Sequence, residues 1–190
     1  MTIVKSGKNK HLGGNVEGGD PYTYEHTAAA RLVAKFGIRT VLDVGCGEGH
    51  MVRCFQSLGC NAIGLDGLPR NAEVAETPTI VWDLTKGPFR IDKIDLVWCV
   101  EVAEHIDEEF VDNFIETVAN GQYVVLGYAP PGQGGHHHVN EQYEDYWLEK
   151  MEDRGFDYLP EGTQEMKSHA NGLLAKNGLL FVRRSGRDRT

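Results

Sequence analysis

The chain lacks any apolar run approaching the roughly eighteen residues that cross a bilayer, and its opening MTIVKSGKNK leads into glycines and an acid rather than an apolar signal core. These absences predict a soluble, cytoplasmic protein with no membrane partner. A CxxC pair is also missing: Cys46, Cys54, Cys60 and Cys99 stand apart, which excludes the spacing of a zinc or dithiol centre and predicts free thiols. Positive charge is scarce, with 19 Lys and Arg against 28 Asp and Glu and a formal charge of −9. Nonspecific nucleic-acid binding depends on Lys and Arg displacing phosphate counterions, so nucleic acid is disfavoured as a partner. The C-terminal run Arg183, Arg184, Arg187 and Arg189 reads as a solvated tail.

What is present fits one globular unit: 190 residues, 41% hydrophobic and 25% charged. No internal repeat or low-complexity linker divides 21–190. Residues 1–20 hold five glycines and few large apolar groups, which predicts a flexible arm or lid. The stretch from Pro21 to Gly37 has alanines with Leu32, Val33 and Phe36 at helical spacing, and glycine commonly follows a helix end. Short apolar runs TVLDVG (40–45), NAIGLDG (61–67), PTIVWD (78–83), KIDLVWCV (93–100) and QYVVLGYA (122–129) have the length of buried strands. Helical patterns at HMVRCFQSLG, 108–120 and 140–155 alternate with them. Strands too apolar to own a wet face predict a mostly parallel sheet covered on both sides, a three-layer α/β fold. FDYLP and GLLFVRR read as two closing strands around the polar stretch EGTQEMKSHANG.

Open parallel sheets bind ligands beyond the carboxyl ends of their strands, and the first strand-to-helix turn is the usual place. Here it reads Asp43-Val44-Gly45-Cys46-Gly47-Glu48-Gly49. Glycines permit positive φ and close ligand approach, and the following helix offers free N–H groups. His50 stands where a dinucleotide fingerprint has its third glycine, so the pattern is G-x-G-x-G. Asp66 follows about twenty residues later, where a carboxylate can accept both hydroxyls of a ribose. A tight structural turn and a helix-capping Asp66 are the plainer readings of the same residues.

VLDVGCGEG resembles the first motif of class I S-adenosylmethionine-dependent methyltransferases, including the acid two residues before the first glycine. The resemblance implies a Rossmann-like α/β/α fold with a mostly parallel seven-stranded sheet and an antiparallel strand near the C-terminus. It also implies S-adenosyl-L-methionine as cofactor. Asp43 would lie by its amino-acid part, Asp66 by the ribose, and Asp83 and Leu84 by adenine, with Gly45, Cys46, Gly47, Gly49, Gly67 and Val100, at the end of the fourth strand, completing the cofactor site.

After that strand come Glu101, Glu104 and His105, which would share one face of a helical turn. Two carboxylates and an imidazole suit a divalent cation. This E-x-x-E-H pattern resembles that of metal-assisted O-methyltransferases acting on RNA 3′-terminal ribose and on ubiquinone catechols. The resemblance implies Mg²⁺, Mn²⁺ or Zn²⁺ at Glu101, Glu104 and His105, with a further histidine. His137 is one candidate for it among His136, His137 and His138, which follow the fifth strand in PPGQGGHHHVN. Alternatively the cluster is architecture and one of the histidines acts as a base. A hydroxyl acceptor must lose its proton as it attacks, and imidazole suits that task, which makes His105, His136, His137 and His138 the catalytic candidates. Tyr143, Tyr146 and Trp147 read as core packing at their spacing, with stacking on a sugar or ring as the functional counterpart. The reading that unites these features is O-methylation of a small molecule or glycan. An RNA ribose 2′-O-methyltransferase and a non-catalytic S-adenosylmethionine-binding module are its competitors.

Overall fold

The computed structural model describes residues 2–3 and 11–186. Part of the arm expected over 1–20, and Arg187 and Arg189 of the basic run, lie outside them. Seven strands form one sheet: β1 (Thr40–Val44), β2 (Asn61–Asp66), β3 (Thr79–Val81), β4 (Ile94–Cys99), β5 (Gly121–Gly127), β6 (Phe156–Tyr158) and β7 (Gly178–Arg183). Their order is β3-β2-β1-β4-β5-β7-β6, and β7 alone runs antiparallel to its neighbours β5 and β6. The expected sheet is therefore the observed one. Because β1 neighbours both β2 and β4, the sheet reverses direction of winding at β1, which is where a ligand crevice opens in such folds.

Alternate strand residues feed two separate cores. Leu42, Val97 and Phe181 point to one face with Phe114, Ile115 and Trp147, while Val41, Trp98 and Leu180 point to the other with Leu32, Val52 and Phe55. That double burial is why the strands read as continuous apolar runs. The first layer of helices is α4 (Val111–Val118) and α5 (Glu144–Asp153), which carry Phe114 and Trp147. The second is α1 (His26–Phe36) and α2 (His50–Ser57). α1 ends where Gly37 takes φ 64°, which only glycine adopts without a Cβ penalty. Trp147 is fully buried, whereas Tyr143 is 69% exposed, so only part of that aromatic stripe is core.

Three short helices lie where the pattern gave none. α3 (Pro69–Val74) is a six-residue turn behind β2, and α6 (Pro160–Ser168) forms from the polar stretch between the closing strands, followed by α7 (Leu174–Asn177). α6 buries only Thr163 and Met166, too few apolar positions to leave a period. The cysteines are free thiols, and no described helix is long and apolar enough to cross a membrane.

Candidate active site

Turns leaving the carboxyl edge of the sheet enclose a cleft of about 520 Å³, within the usual range for small-ligand sites. The turn after β1 makes one wall. Gly45, Gly47 and Gly49 have φ 74°, 52° and 78°. A Cβ on Gly45 would lie 2.2 Å from Val102, and one on Gly49 2.2 Å from Thr77. A Cβ on Gly47 would meet nothing within 4 Å, although Gly47 lines the cleft, so this glycine leaves room for a ligand rather than for a packed neighbour. Gly49 serves packing.

Asp66 ends β2 with its carboxylate held by Gly47 N at 2.9 Å, Leu68 N at 2.8 Å and Asn71 Nδ2 at 3.0 Å. Burial raises its pKa and these three donors oppose the rise. Asp43 is 4% exposed at the end of β1, and burial, with Asp66 second, pushes its carboxyl up to about 8. Cys46 and Val100 are buried at the same wall, and burial drives the Cys46 thiol up, out of the reactive range. No Lys or Arg lines the cleft among the described residues. Two buried acids facing it without a cation fit a ligand that carries its own positive charge and hydroxyls.

Asp83 and Leu84 are placed differently from expectation. Asp83 caps the 3₁₀ turn Leu84–Lys86 through Thr85 N at 3.0 Å and Thr85 Oγ1 at 2.7 Å, and its other oxygen takes His11 Nε2 at 3.1 Å. Neither lines the cleft; Leu84 packs on the first core. Gly67 does line it, with Leu12 lying where a Cβ on Gly67 would reach, 2.5 Å away.

The acid and histidine cluster forms the opposite wall, though not on an α-helical turn. Glu101 takes φ 59°, a left-handed conformation costly for a residue with a Cβ, and Ala103–His105 form a single 3₁₀ turn. The loop after β5 is pinned to that turn: Val139 N and Asn140 N donate to the Glu104 carbonyl at 2.9 and 3.1 Å. Glu104 is fully buried, and among the described residues its carboxylate meets no donor except a proton shared with the Glu101 carboxyl. Burial and the nearby Glu101 carboxylate both raise its pKa. His105 Nδ1 donates to the His137 carbonyl at 2.9 Å, and burial lowers its pKa to about 4. Such an imidazole stays neutral and is too weak a base for neutral pH.

The three histidines separate in space. His136 and His138 line the cleft; His137, at φ 63°, turns its ring onto Gly13 with Nδ1 buried and unpartnered. His138 Nδ1 donates to Glu141 Oε1 at 3.0 Å, and Glu141 also receives Gly132 N and Gly134 N at 2.8 and 2.6 Å. Ligand atoms of Glu104, His105 and His138 all lie within 4.8 Å of one another. Thus His138 takes the place expected of His137, and Glu101 stands beside the trio rather than in it. Sequence reasoning missed Glu141, Asn71 and His11, whose partners lie across loops; only the i, i+3 spacing of His138 and Glu141 left any trace.

Residues 42–126 match the family described as methyltransferase domain. The chain is 33% identical over 88 residues to the ubiquinone biosynthesis O-methyltransferase of Rickettsia typhi, covering 41% of this chain and 36% of that one. It is 31% identical over 103 residues to the chloroplastic tocopherol O-methyltransferase of Arabidopsis thaliana, covering 47% and 30%. The chain thus spans about a third of the length of these relatives. The crystal structure of magnesium protoporphyrin IX methyltransferase from Synechocystis PCC 6803 with bound SAM superposes with a TM-score of 0.63 at 19% identity, over 86% of this chain and 79% of that one. At that identity the likeness establishes the fold.

Proposed function

We propose, on the premise that this chain carries a class I S-adenosylmethionine-dependent methyltransferase domain, that it methylates a hydroxyl of a small molecule or glycan. The observation that carries the reading is one continuous cleft bounded on one side by Gly47, Asp43 and Asp66 and on the other by Glu101, His105, His136 and His138. Asp43 fits an ammonium group and Asp66 ribose hydroxyls, and Gly47 leaves the backbone open to approach. The donor supplies an electrophilic methyl group on a sulfonium. The acceptor oxygen takes that methyl, the electrons of the breaking C–S bond stay on sulfur, and the hydroxyl proton leaves to a base.

His138 suits that base. Its Nδ1 is tied to the Glu141 carboxylate, which leaves Nε2 to accept a proton and the carboxylate to stabilise the imidazolium formed. The protein otherwise works by holding the acceptor in line and excluding water. Among the described residues the cleft is lined by five acids and no Lys or Arg, which supports a small, uncharged acceptor over the phosphate backbone of RNA.

A second reading of the same wall has its own support. The buried Glu104 carboxylate, whose one polar side-chain neighbour is the Glu101 carboxyl, fits a divalent cation, which Glu104, His105 and His138 would hold. Bound there, it would lower the pKa of a coordinated hydroxyl.

Labelled methyl from S-adenosylmethionine, offered with fractionated small molecules, glycans and RNA, tests the proposal. Label in a small-molecule or glycan hydroxyl, cut at least about tenfold by His138→Ala, is expected. Label confined to RNA would overturn the acceptor class, and activity that survives His138→Ala intact would overturn the base.

A further inference from the structure

The described part of the N-terminal arm runs along the mouth of the cleft from one wall to the other. On the donor side His11 Nε2 holds the Asp83 carboxylate at 3.1 Å, and Leu12 lies over Gly67. Asn15 Oδ1 accepts from Asn71 Nδ2 at 2.6 Å, and the same Nδ2 donates to Asp66 at 3.0 Å, so the arm is wired to the buried acid itself. On the acceptor side Gly13 and Gly14 press on imidazoles. A Cβ on Gly13 would fall 2.1 Å from the His137 ring, and one on Gly14 2.6 Å from that of His105. The following residues are anchored: Arg70 pairs with Glu17 at 3.1 Å and with Glu48 at 3.0 Å, and Gly18 N donates to Glu48 at 3.1 Å. Gly18 and Gly19, at φ 78° and 77°, belong to that anchor: Tyr24 Oη donates to the Gly18 carbonyl at 3.0 Å and Gly19 N to the Val16 carbonyl at 3.1 Å. Residues 11–15 carry one large apolar side chain, Leu12, which marks a segment of low local stability.

We infer that His11–Asn15 is a self-latched strap, with His11 tied to Asp83 beside the donor wall, residues 11–15 lining the cleft, and Gly13–Gly14 closing the acceptor wall. This rests on the donor-site reading above. In the latched state Asp83 is engaged by the protein's own imidazole and His105 is covered by backbone. Donor and acceptor therefore enter when residues 11–15 lift away from the Glu17–Gly18 anchor, and a donor filling the space that His11 and Leu12 line keeps the strap unlatched. The site thereby stays shielded from water until a donor arrives.

Calorimetric titration of the full chain with S-adenosylhomocysteine decides the matter, using His11→Ala and Gly14→Ala. The first removes the latch and the second drives a methyl group into the His105 ring. The strap predicts binding about threefold tighter in each than in wild type, since each variant weakens one contact that holds the strap down. Equal affinity, or weaker binding that would make His11 part of the donor's own site, overturns the proposal. If the wild type binds no S-adenosylhomocysteine, the donor reading falls instead. Hydrogen exchange at Leu12–Asn15 then judges the strap alone: faster exchange in His11→Ala supports it, and unchanged exchange overturns it.

Discussion

His105 Nδ1 donates to the carbonyl oxygen of His137 at 2.9 Å, a contact that joins the turn after β4 to the loop after β5 and fixes the imidazole with Nε2 free. Burial lowers the His105 pKa to about 4, so that nitrogen keeps its lone pair throughout the neutral range. A neutral imidazole oriented through its other nitrogen by a carbonyl is the arrangement in which histidine binds metals. Glu104 beside it has two buried oxygens and, among the described residues, no donor but a proton shared with Glu101.

That pairing gives the first prediction. Mn²⁺ or Zn²⁺ at about a hundred times its dissociation constant adds roughly 2.7 kcal/mol to the folded state, or some 5–10 °C in a domain of this size. The gain is expected in wild type and lost in Glu104→Gln, where a weakly ligating amide replaces the carboxylate. Scanning calorimetry with and without metal reads it directly; equal responses from the two proteins would remove the metal reading and leave the His138 base.

The second concerns Asp43, whose carboxyl is pushed up to about 8 while in the unfolded chain it titrates near 3.8. Between these values the folded protein keeps a proton that the unfolded chain has released, so this group makes stability fall as pH rises from about 4 to about 8 and then level off. Asp43→Asn removes that slope: its melting temperature at pH 8 is expected several degrees above wild type, with the two converging near pH 4. Donor binding runs the other way. A cationic ammonium favours the carboxylate, so S-adenosylhomocysteine should bind wild type more tightly with each step toward pH 8, releasing close to one proton at pH 7. Titrations in two buffers of different ionisation enthalpy measure that proton; no release would mean that Asp43 does not face the ammonium.

Most of this architecture can be read from the chain, and the exceptions have physical causes. β1, β2, β4 and β5 are legible because Val41 and Leu42, or Val97 and Trp98, are buried on opposite faces of one sheet. The glycine turn and Asp66 are legible because their chemistry is local. α6 is not, since Thr163 and Met166 alone face the core. The left-handed φ of Glu101 leaves no trace in its neighbours, and the choice of His138 over His137 is made by Glu141 and Gly13, which hold the two rings in different directions. His11 and Asp83 meet across 72 residues, a distance over which no pattern carries information.

The glycines of the β1 turn offer a third prediction, because two of them are glycine for opposite reasons. Gly45→Ala places a methyl group 2.2 Å from Val102, so it is expected to destabilise by about 2–4 kcal/mol, as overpacking at a positive φ does. Gly47→Ala meets no neighbour and costs about 1 kcal/mol for its φ alone. Its loss should appear instead in binding, with S-adenosylhomocysteine weakened tenfold or more because the new methyl group stands where the ligand approaches. Denaturant unfolding and calorimetric titration separate the two effects. Equal binding by Gly47→Ala and wild type would place the ligand elsewhere.

A fourth follows from Glu25, which is 1% exposed just before α1 and accepts from Asn171 N at 2.8 Å and Gly172 N at 2.7 Å. This one carboxylate holds the loop that carries Leu173 into the cleft, across 146 residues of sequence. A Cβ on Gly172 would lie 1.8 Å from the Tyr22 carbonyl, so the loop has no room to shift toward α1 and find other partners. Glu25→Gln replaces an acceptor by an amide NH₂ that faces a backbone N–H. One buried donor is left unpaired, at a cost of about 1–3 kcal/mol and a fall of roughly 3–10 °C in melting temperature. Since Leu173 borders the cleft, the acceptor KM should rise more than kcat falls, while affinity for S-adenosylhomocysteine, set at the far wall by Asp43 and Asp66, stays within about twofold of wild type. A loss of donor binding as large as the loss of acceptor binding would show instead that Glu25 supports the whole fold, not the Leu173 loop in particular.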